Sequence, residues 1–254
     1  MAHSEVPMDK TRTAWKSVPR TIVRFLTFRS TRDEMLSFGG KHLALGLVCT
    51  WLVGIGRYWD NPRVSLMQHL GIGSLVYIYA LALLLYLIVL PLRPKDWSFF
   101  RVFTFVSLVS PPAFLYAIPV ERFFDLDNAN SINAVFLGIV AAWRVALLVF
   151  YLRRFAALEW FKVVTVTLLP LTLIIVTLTI LNLDRVVFDF MGGISPSTRS
   201  GNDVAYGIMF LLSVFSFLLF VPALTLYIVM ALGEGFARRE ERLKQLSTTD
   251  DTTK

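Results

Sequence analysis

Cysteine and histidine are almost absent from this sequence. Cys49 is the single cysteine, so no disulfide can form within the chain, and a disulfide-stabilised scaffold is excluded. The three histidines lie at a tail or at helix ends and form no cluster for zinc or haem. A P-loop, a dinucleotide-binding fingerprint and a nucleophile elbow are also missing. We therefore expect no cofactor, no metal site and no enzyme activity.

Charged residues are also scarce. They make up 17% of the 254 residues, whereas hydrophobic residues make up 56%, and the mean hydropathy is +0.62. Soluble domains average about 25% charged and about 45–50% apolar residues, and disordered chains are less apolar still. The composition therefore predicts an integral membrane protein. The net charge of +7 does not indicate nucleic acid, because most of the cations flank apolar stretches.

Six apolar stretches pass or nearly pass the length that a bilayer requires, which is about 20 residues for a hydrocarbon core about 30 Å thick. Lipid contact requires helices, because open strands would leave backbone groups without hydrogen bonds. The predicted fold is an all-α, polytopic transmembrane bundle of about six spans. The first span is the weakest, because Lys41 and His42 interrupt its start. The stretches cover residues 38–56, 66–92, 98–119, 132–152, 161–183 and 204–232.

Lysine and arginine are distributed unevenly around these stretches. With six spans and the N-terminus inside, 19 of the 25 cations lie in cytoplasmic segments and five in external loops, and Arg144 lies within a span. Cytoplasmic loops of membrane proteins carry such an excess of Lys and Arg. The distribution predicts that both termini are cytoplasmic.

The chain is predicted to have three parts: residues 1–37, a basic cytoplasmic segment; 38–232, the bundle; and 233–254, a charged and partly disordered cytoplasmic tail. In the first part, Ile22 and Phe25 alternate with Arg20 and Arg24 at helical spacing, the pattern of a basic amphipathic helix on a membrane surface. Such a helix either recognises anionic lipid headgroups or a partner, or it determines topology and anchors the chain. The positive-inside rule favours the second interpretation.

Arg144 is the clear ionisable residue within a span, where its insertion costs about 2.5–3.5 kcal/mol. Its guanidinium group either extends toward the cytoplasmic headgroups, or faces the bundle and opposes an anion or carbonyls freed by prolines. Asp and Glu are absent from the middle of every span, which argues against proton coupling and against an intramembrane aspartyl protease.

Prolines deep in three spans each remove a backbone donor and free a carbonyl. Hydroxyl residues accompany them at helical spacing. Such stripes can line a pathway, as broken helices do in transporters, but more commonly they pack helices closely, and we favour packing. The candidate intramembrane polar site consists of Arg144, Pro111, Thr172, Pro170, Ser216 and Pro222.

These features predict a non-catalytic multi-pass protein, a membrane scaffold or complex subunit that works through helix-mediated association or lipid contact. The alternative is a small permease or channel with a pathway between spans three, five and six near Arg144. Expected partners are the bilayer, with anionic headgroups at the basic segment, and a membrane protein or further copies of the chain. Short loops and the lack of an Asn-x-Ser/Thr acceptor favour a bacterial cytoplasmic (inner) membrane.

Overall fold

A computed structural model describes residues 9–57, 66–181 and 204–252 of the chain. These residues are all-helical, with no strand among them. The helices are α1 (Asp9–Leu26), α2 (Arg32–Leu36), α3 (Gly40–Gly56), α4 (Leu66–His69), α5 (Ile72–Val89), α6 (Phe99–Leu108), α7 (Leu126–Arg154), α8 (Trp160–Ile180) and α9 (Val204–Thr252). Short 3₁₀ turns cover Leu90–Leu92, Pro111–Ala117 and Val120–Arg122.

Five helical segments in this part of the chain are long and apolar enough to cross a membrane: Ile72–Leu92, Phe99–Ala117, Ser131–Arg154, Trp160–Ile180 and Phe210–Gln245. They correspond to the second to sixth predicted spans. Helix α3, at the first predicted span, is apolar but has only 17 residues, or about 26 Å at about 1.5 Å per residue. The all-helical fold, with several helices long and apolar enough to cross a membrane, is therefore confirmed, while the number of crossings and the side of each terminus stay predictions.

The third predicted span changes its helix type partway along. Ser98 begins α6 by accepting a hydrogen bond from the Arg101 N–H, and the α-helix ends at Leu108. A 3₁₀ helix, Pro111–Ala117, continues the segment. Two adjacent prolines supply no backbone donors, so the α-helical bonding cannot pass through them.

The chain forms two compact units. The first comprises Met1–Leu83, Ser98–Pro119 and Ile139–Phe155, and the second comprises Leu84–Trp97, Val120–Gly138 and Ala156–Lys254. The predicted boundary after residue 37 does not separate these units, because α1 belongs to the first unit together with membrane helices.

Helix α1 buries its apolar face in protein within the first unit. The side chain of Phe25 is fully buried, and its ring contacts the rings of Phe38, Phe105 and Phe150 at centroid distances of 5.8–6.4 Å. The indole of Trp143 donates to the Leu26 carbonyl across 3.0 Å. The apolar face that was expected to lie on the membrane surface is therefore covered by other helices, because their aromatic side chains offer a matching surface.

Small residues bring helices close together in the first unit. A Cβ placed on Gly46 would lie 2.8 Å from the Cβ of Ser107, and one on Gly54 would lie 3.0 Å from the Cα of Gly71. Thr50, between Gly46 and Gly54 on α3, lies 2.6 Å from Ser110, hydroxyl to hydroxyl. This is the close small-residue packing by which helices associate in membranes.

Helices α8 and α9 pack together in the second unit. The hydroxyls of Thr179 and Ser213 lie 3.1 Å apart between them, and Ser216 and Ala223 are buried. Helix α9 has 49 residues and runs through Thr252. The structure is thus helical where the sequence predicted a partly disordered tail, because Arg, Glu, Leu, Lys and Gln dominate the stretch after Phe236 and all are strong helix formers.

Candidate functional site

Arg144 lies on α7 and points toward the segment Phe99–Ala117 rather than to the C-terminal end of its own helix. Its partly buried guanidinium donates from Nε to the carbonyl oxygen of Val109 across 3.4 Å, a long hydrogen bond. In a 3₁₀ turn this carbonyl would accept from the residue three positions on, which is Pro112 and has no N–H. The Ala113 N–H bonds to Ser110 instead. Arg144 therefore supplies a donor at a position where the prolines remove one.

A second arginine lies near this contact. The guanidinium carbon of Arg57 lies 5.4 Å from the ring centroid of Tyr116, a cation–π distance. Arg57 and Arg144 both act electrostatically on the Tyr116 hydroxyl. Two positive groups thus converge on one phenol within the first unit. Such an arrangement can attract an anion or hold Tyr116 in place, and both are non-covalent tasks.

The other candidate hydroxyls lie in the second unit. Thr172 and Ser216 are buried, and the Thr172 hydroxyl donates to the Leu168 carbonyl of its own helix across 2.9 Å. Pro170 is buried in α8, whereas Pro222 is exposed on α9. The hydroxyl of Thr172 is therefore satisfied inside α8, and Pro222 lies on the outer side of its helix.

The candidate residues do not belong to one unit. Arg144 and Pro111 lie in the first unit, and Thr172, Pro170, Ser216 and Pro222 lie in the second. Of these six residues, Arg144 bonds to the proline-interrupted segment, to which Pro111 itself belongs. A shared site for all six residues stays a prediction.

The sequence did not reveal a cluster of ion pairs in the second unit. Glu234 on α9 lies 2.5 Å from the Lys162 ammonium of α8 and 3.7 Å from the Arg93 guanidinium, oxygen to nitrogen. Arg93 also pairs with Glu241, and this bond raises the pKa of Arg93 above its ordinary value. Arg238 donates to the Pro91 carbonyl across 2.7 Å. We call Arg93, Lys162, Glu234, Arg238 and Glu241 the ion-pair cluster; it attaches the charged end of α9 to the rest of its unit.

A signal for this cluster was present in the sequence. Glu234, Arg238 and Glu241 recur at intervals of four and three residues, which places them on one face of α9. The distant partners Arg93 and Lys162 could be found only from the fold, because nothing in the local pattern links them to α9.

A polar contact attaches α1 to the start of α3. The Thr21 hydroxyl lies 3.0 Å from Nε2 of His42, and Nδ1 of His42 accepts from the Gly39 N–H across 3.3 Å. Because Nδ1 accepts, Nε2 carries the proton and donates to Thr21. Beside this contact lies an open pocket of about 320 Å³, with Ser37 and Lys41 among its lining residues. This corner of the first unit offers one cation and hydroxyl groups, a setting suited to an anionic headgroup.

Within the ranges that the structure describes, no three His, Cys, Asp or Glu side chains come close enough to hold a metal ion. The described polar contacts hold helices together, and the Arg57 guanidinium lies over the Tyr116 ring. Comparison of the chain with protein families, with curated proteins and with solved structures returned no significant match.

Proposed function

We propose that this protein is a non-catalytic, multi-pass membrane scaffold or complex subunit that works through association of its helices and through lipid contact. The observation that carries the proposal is that polar side chains inside apolar helices bond to the chain itself. Thr50 bonds to Ser110, Thr179 to Ser213, and Arg144 to the Val109 carbonyl. Polar groups used in this way stabilise helix packing, whereas a transport pathway presents them to water.

For the topology we propose six crossings with both termini in the cytoplasm. Arg32, before α3, donates to the Phe155 carbonyl across 3.2 Å, and the Lys95 N–H, after α5, donates to the carbonyl of the next residue, Ala156, across 3.1 Å. Bonds to consecutive residues support placing Arg32 and Lys95 on one side of the membrane. If α5 crosses, α3 must then cross as well, despite its length.

Reporter fusions test this topology. We expect a fusion after Pro62 to report the external side and a fusion after Asp96 to report the cytoplasmic side. A cytoplasmic report at position 62 together with an external report at position 96 would remove the first crossing. The same side at both positions would remove the second crossing, and either result would overturn the arrangement. A bacterial-type cytoplasmic membrane remains our proposed location, supported by the short loops and the lack of an Asn-x-Ser/Thr acceptor; fractionation of the host membranes checks it.

Lipid contact is proposed at the cytoplasmic edge of the first unit. Arg20 and Arg29 stay exposed although the apolar face of α1 is buried, and Lys41 lines the nearby pocket. Basic residues near a membrane surface attract anionic headgroups, each contributing about 1 kcal/mol. Binding of the purified protein to nanodiscs with and without phosphatidylserine measures the contribution of anionic headgroups. Equal binding to both would contradict the proposed lipid contact.

The alternative function is a small permease or channel for an anion. The specific observation in its favour is the convergence of Arg57 and Arg144 on Tyr116. Flux of radioactive phosphate or chloride into liposomes that contain the purified protein tests it. Flux that disappears in Arg144→Leu would replace the scaffold proposal with this one.

Native mass spectrometry of protein extracted gently from its own membrane tests the scaffold proposal. We expect a stoichiometric complex, either with another membrane protein or with further copies of the chain. A monomer that carries lipid but no other protein would contradict helix-mediated association and leave lipid contact as the activity to pursue.

A further inference from the structure

Helix α9 presents two opposite faces along its length. The inner face packs on the rest of the second unit. Its residues are spaced by three, four, seven or eleven positions, which keeps them on one side of the helix: Ser213, Ser216, Ala223, Glu234, Arg238 and Glu241. The opposite face carries Val229, Leu232, Phe236, Arg239 and Leu243, all exposed, which we call the outer seam. The side chains of Phe236 and Leu243 are 69% and 59% exposed.

The spacing of the outer seam is that of a coiled coil. Val229, Phe236 and Leu243 recur every seven residues, with Leu232 and Arg239 at the intermediate positions. They occupy the a and d positions of a heptad repeat, which face the partner helix in a two-stranded coiled coil. The seam is therefore regular enough to receive another helix along its whole length.

Lipid alone does not cover this face. From Phe210 to Leu243, both exposed, α9 extends about 50 Å, whereas the hydrocarbon core is about 30 Å thick and a helix tilted by 40° crosses it in about 40 Å. Glu240, Glu241 and Arg242 directly precede Leu243, and charged residues near the bilayer centre cost about 2.5–3.5 kcal/mol each. Leu243 thus lies beyond the hydrocarbon, with an exposed apolar side chain.

We propose that the outer seam binds the outer seam of a second copy of this chain, forming a parallel homodimer. This inference rests on the proposed role in helix association and names its partner. All copies insert in the same orientation, so their α9 helices run parallel and the apolar a positions Val229, Phe236 and Leu243 meet their equivalents. The chain's own contacts do not compete, because the ion-pair cluster lies on the inner face.

Charge complementarity identifies the partner as a second copy. In a parallel dimer, a residue at position d packs next to the following residue, position e, of the opposite helix. Arg239 therefore meets Glu240 of the partner, and the two-fold symmetry repeats this pair. Glu240 is exposed, and its Lys244 partner is an i,i+4 surface contact that is easily exchanged. Arg239, the one polar residue of the outer seam, thus pairs with Glu240 of the second copy.

Cysteine cross-linking in native membranes tests the dimer. Cys49→Ser yields a chain without cysteine, into which Phe236→Cys, Leu243→Cys or Ala237→Cys is introduced. Ala237 is exposed and adjacent to Phe236 but lies off the seam, so it is the matched control. We expect oxidation to give covalent dimers from the Phe236 and Leu243 variants and a loss of that product in the Ala237 variant. No dimer at the two seam positions, or equal yields at all three, would overturn the proposal.

A charge exchange supplies the second measurement. In the Phe236→Cys background, Arg239→Glu places carboxylates against each other across the seam and should abolish the cross-link. Adding Glu240→Arg should restore the cross-link. Both positions are exposed, so neither substitution should impair folding. An unchanged yield in the single exchange, or no recovery in the double, would contradict the parallel register.

The two proposals fail in different ways. A stoichiometric complex with another protein, combined with no self cross-link, removes the homodimer but keeps helix association. Ion flux through liposomes combined with seam-specific cross-links removes the scaffold role but keeps the dimer.

Discussion

Arg144 and Val109 are joined by a hydrogen bond from the Nε of one to the carbonyl oxygen of the other, at a distance of 3.4 Å. The contact links α7 to the point where α6 gives way to a 3₁₀ helix. Two unfavourable features of a membrane helix, a cation and a proline-freed carbonyl, are placed so that each satisfies the other. This pairing supports our proposal that Arg144 serves helix packing.

Replacing Arg144 by leucine should lower stability without impairing insertion. Insertion becomes more favourable because the cation is gone, but the Val109 carbonyl loses its donor, which costs about 1–3 kcal/mol. Thermal unfolding in detergent measures the difference. Arg154→Leu, at the exposed end of α7, is the control and should change stability by less than about 0.5 kcal/mol. Equal stability of the two variants would show that the guanidinium of Arg144 is free to reach the headgroups.

Gly46→Ala should disturb the contact between α3 and α6. The new Cβ would lie 2.8 Å from the Cβ of Ser107 and 3.0 Å from its carbonyl carbon, so the helices must separate. We expect this to lower the free energy of unfolding by about 1–3 kcal/mol. Gly73→Ala is the matched control, because a Cβ there meets open space. The ratio of folded to aggregated protein after heating compares them. Similar behaviour of both variants would mean that α3 does not pack tightly here.

Phe25→Ala should detach α1. The ring is fully buried among three other phenylalanines. Removing it leaves a cavity that lowers the free energy of unfolding by about 3–5 kcal/mol. Limited proteolysis should then cut within α1. Val23→Ala, on the exposed side of the same helix, should leave the cleavage rate unchanged. If the two variants were cut alike, the burial of α1 would be refuted.

Glu234→Gln should loosen the charged end of α9. The carboxylate is 19% exposed and serves both Lys162 and Arg93, and a hydrogen bond to a charged group contributes about 1.5–3 kcal/mol. We expect faster hydrogen exchange after Gly233. Arg242→Gln is the control, since Arg242 is exposed and belongs to neither the ion-pair cluster nor the outer seam. Unchanged exchange in Glu234→Gln would exclude an anchoring role for the cluster.

Length and apolarity were enough to predict the helical membrane architecture, because a bilayer imposes both requirements locally. The amphipathic pattern of α1 predicted the helix but not what covers Phe25, since lipid and the rings of Phe38, Phe105 and Phe150 are equally apolar. The residues of the candidate site were chosen by type and depth. Their partners, such as Val109 for Arg144, depend on contacts between distant segments and could not be predicted from spacing.

The extension of α9 shows the same limit. The heptad of exposed residues and the opposite charged face are both present in the sequence, but the composition of the tail suggested disorder after a short helix. Pairing of Glu234 with Lys162 and of Glu241 with Arg93 decides which face is inner. The inner face could therefore be identified only from the fold, since residues 93 and 162 lie far from α9 along the chain.

The burial of Phe25 also sets an order of events during synthesis. Phe105 and Phe150 leave the ribosome later, and about 125 residues separate Phe25 from the last of its ring partners. At about 5–20 residues per second this is a delay of roughly 6–25 s. Throughout that interval the ring of Phe25 has Phe38 nearby but lacks Phe105 and Phe150. The docking of α1 therefore requires that the segments Phe99–Ala117 and Ser131–Arg154 are already assembled, so α1 reaches its final position after helices that are made later.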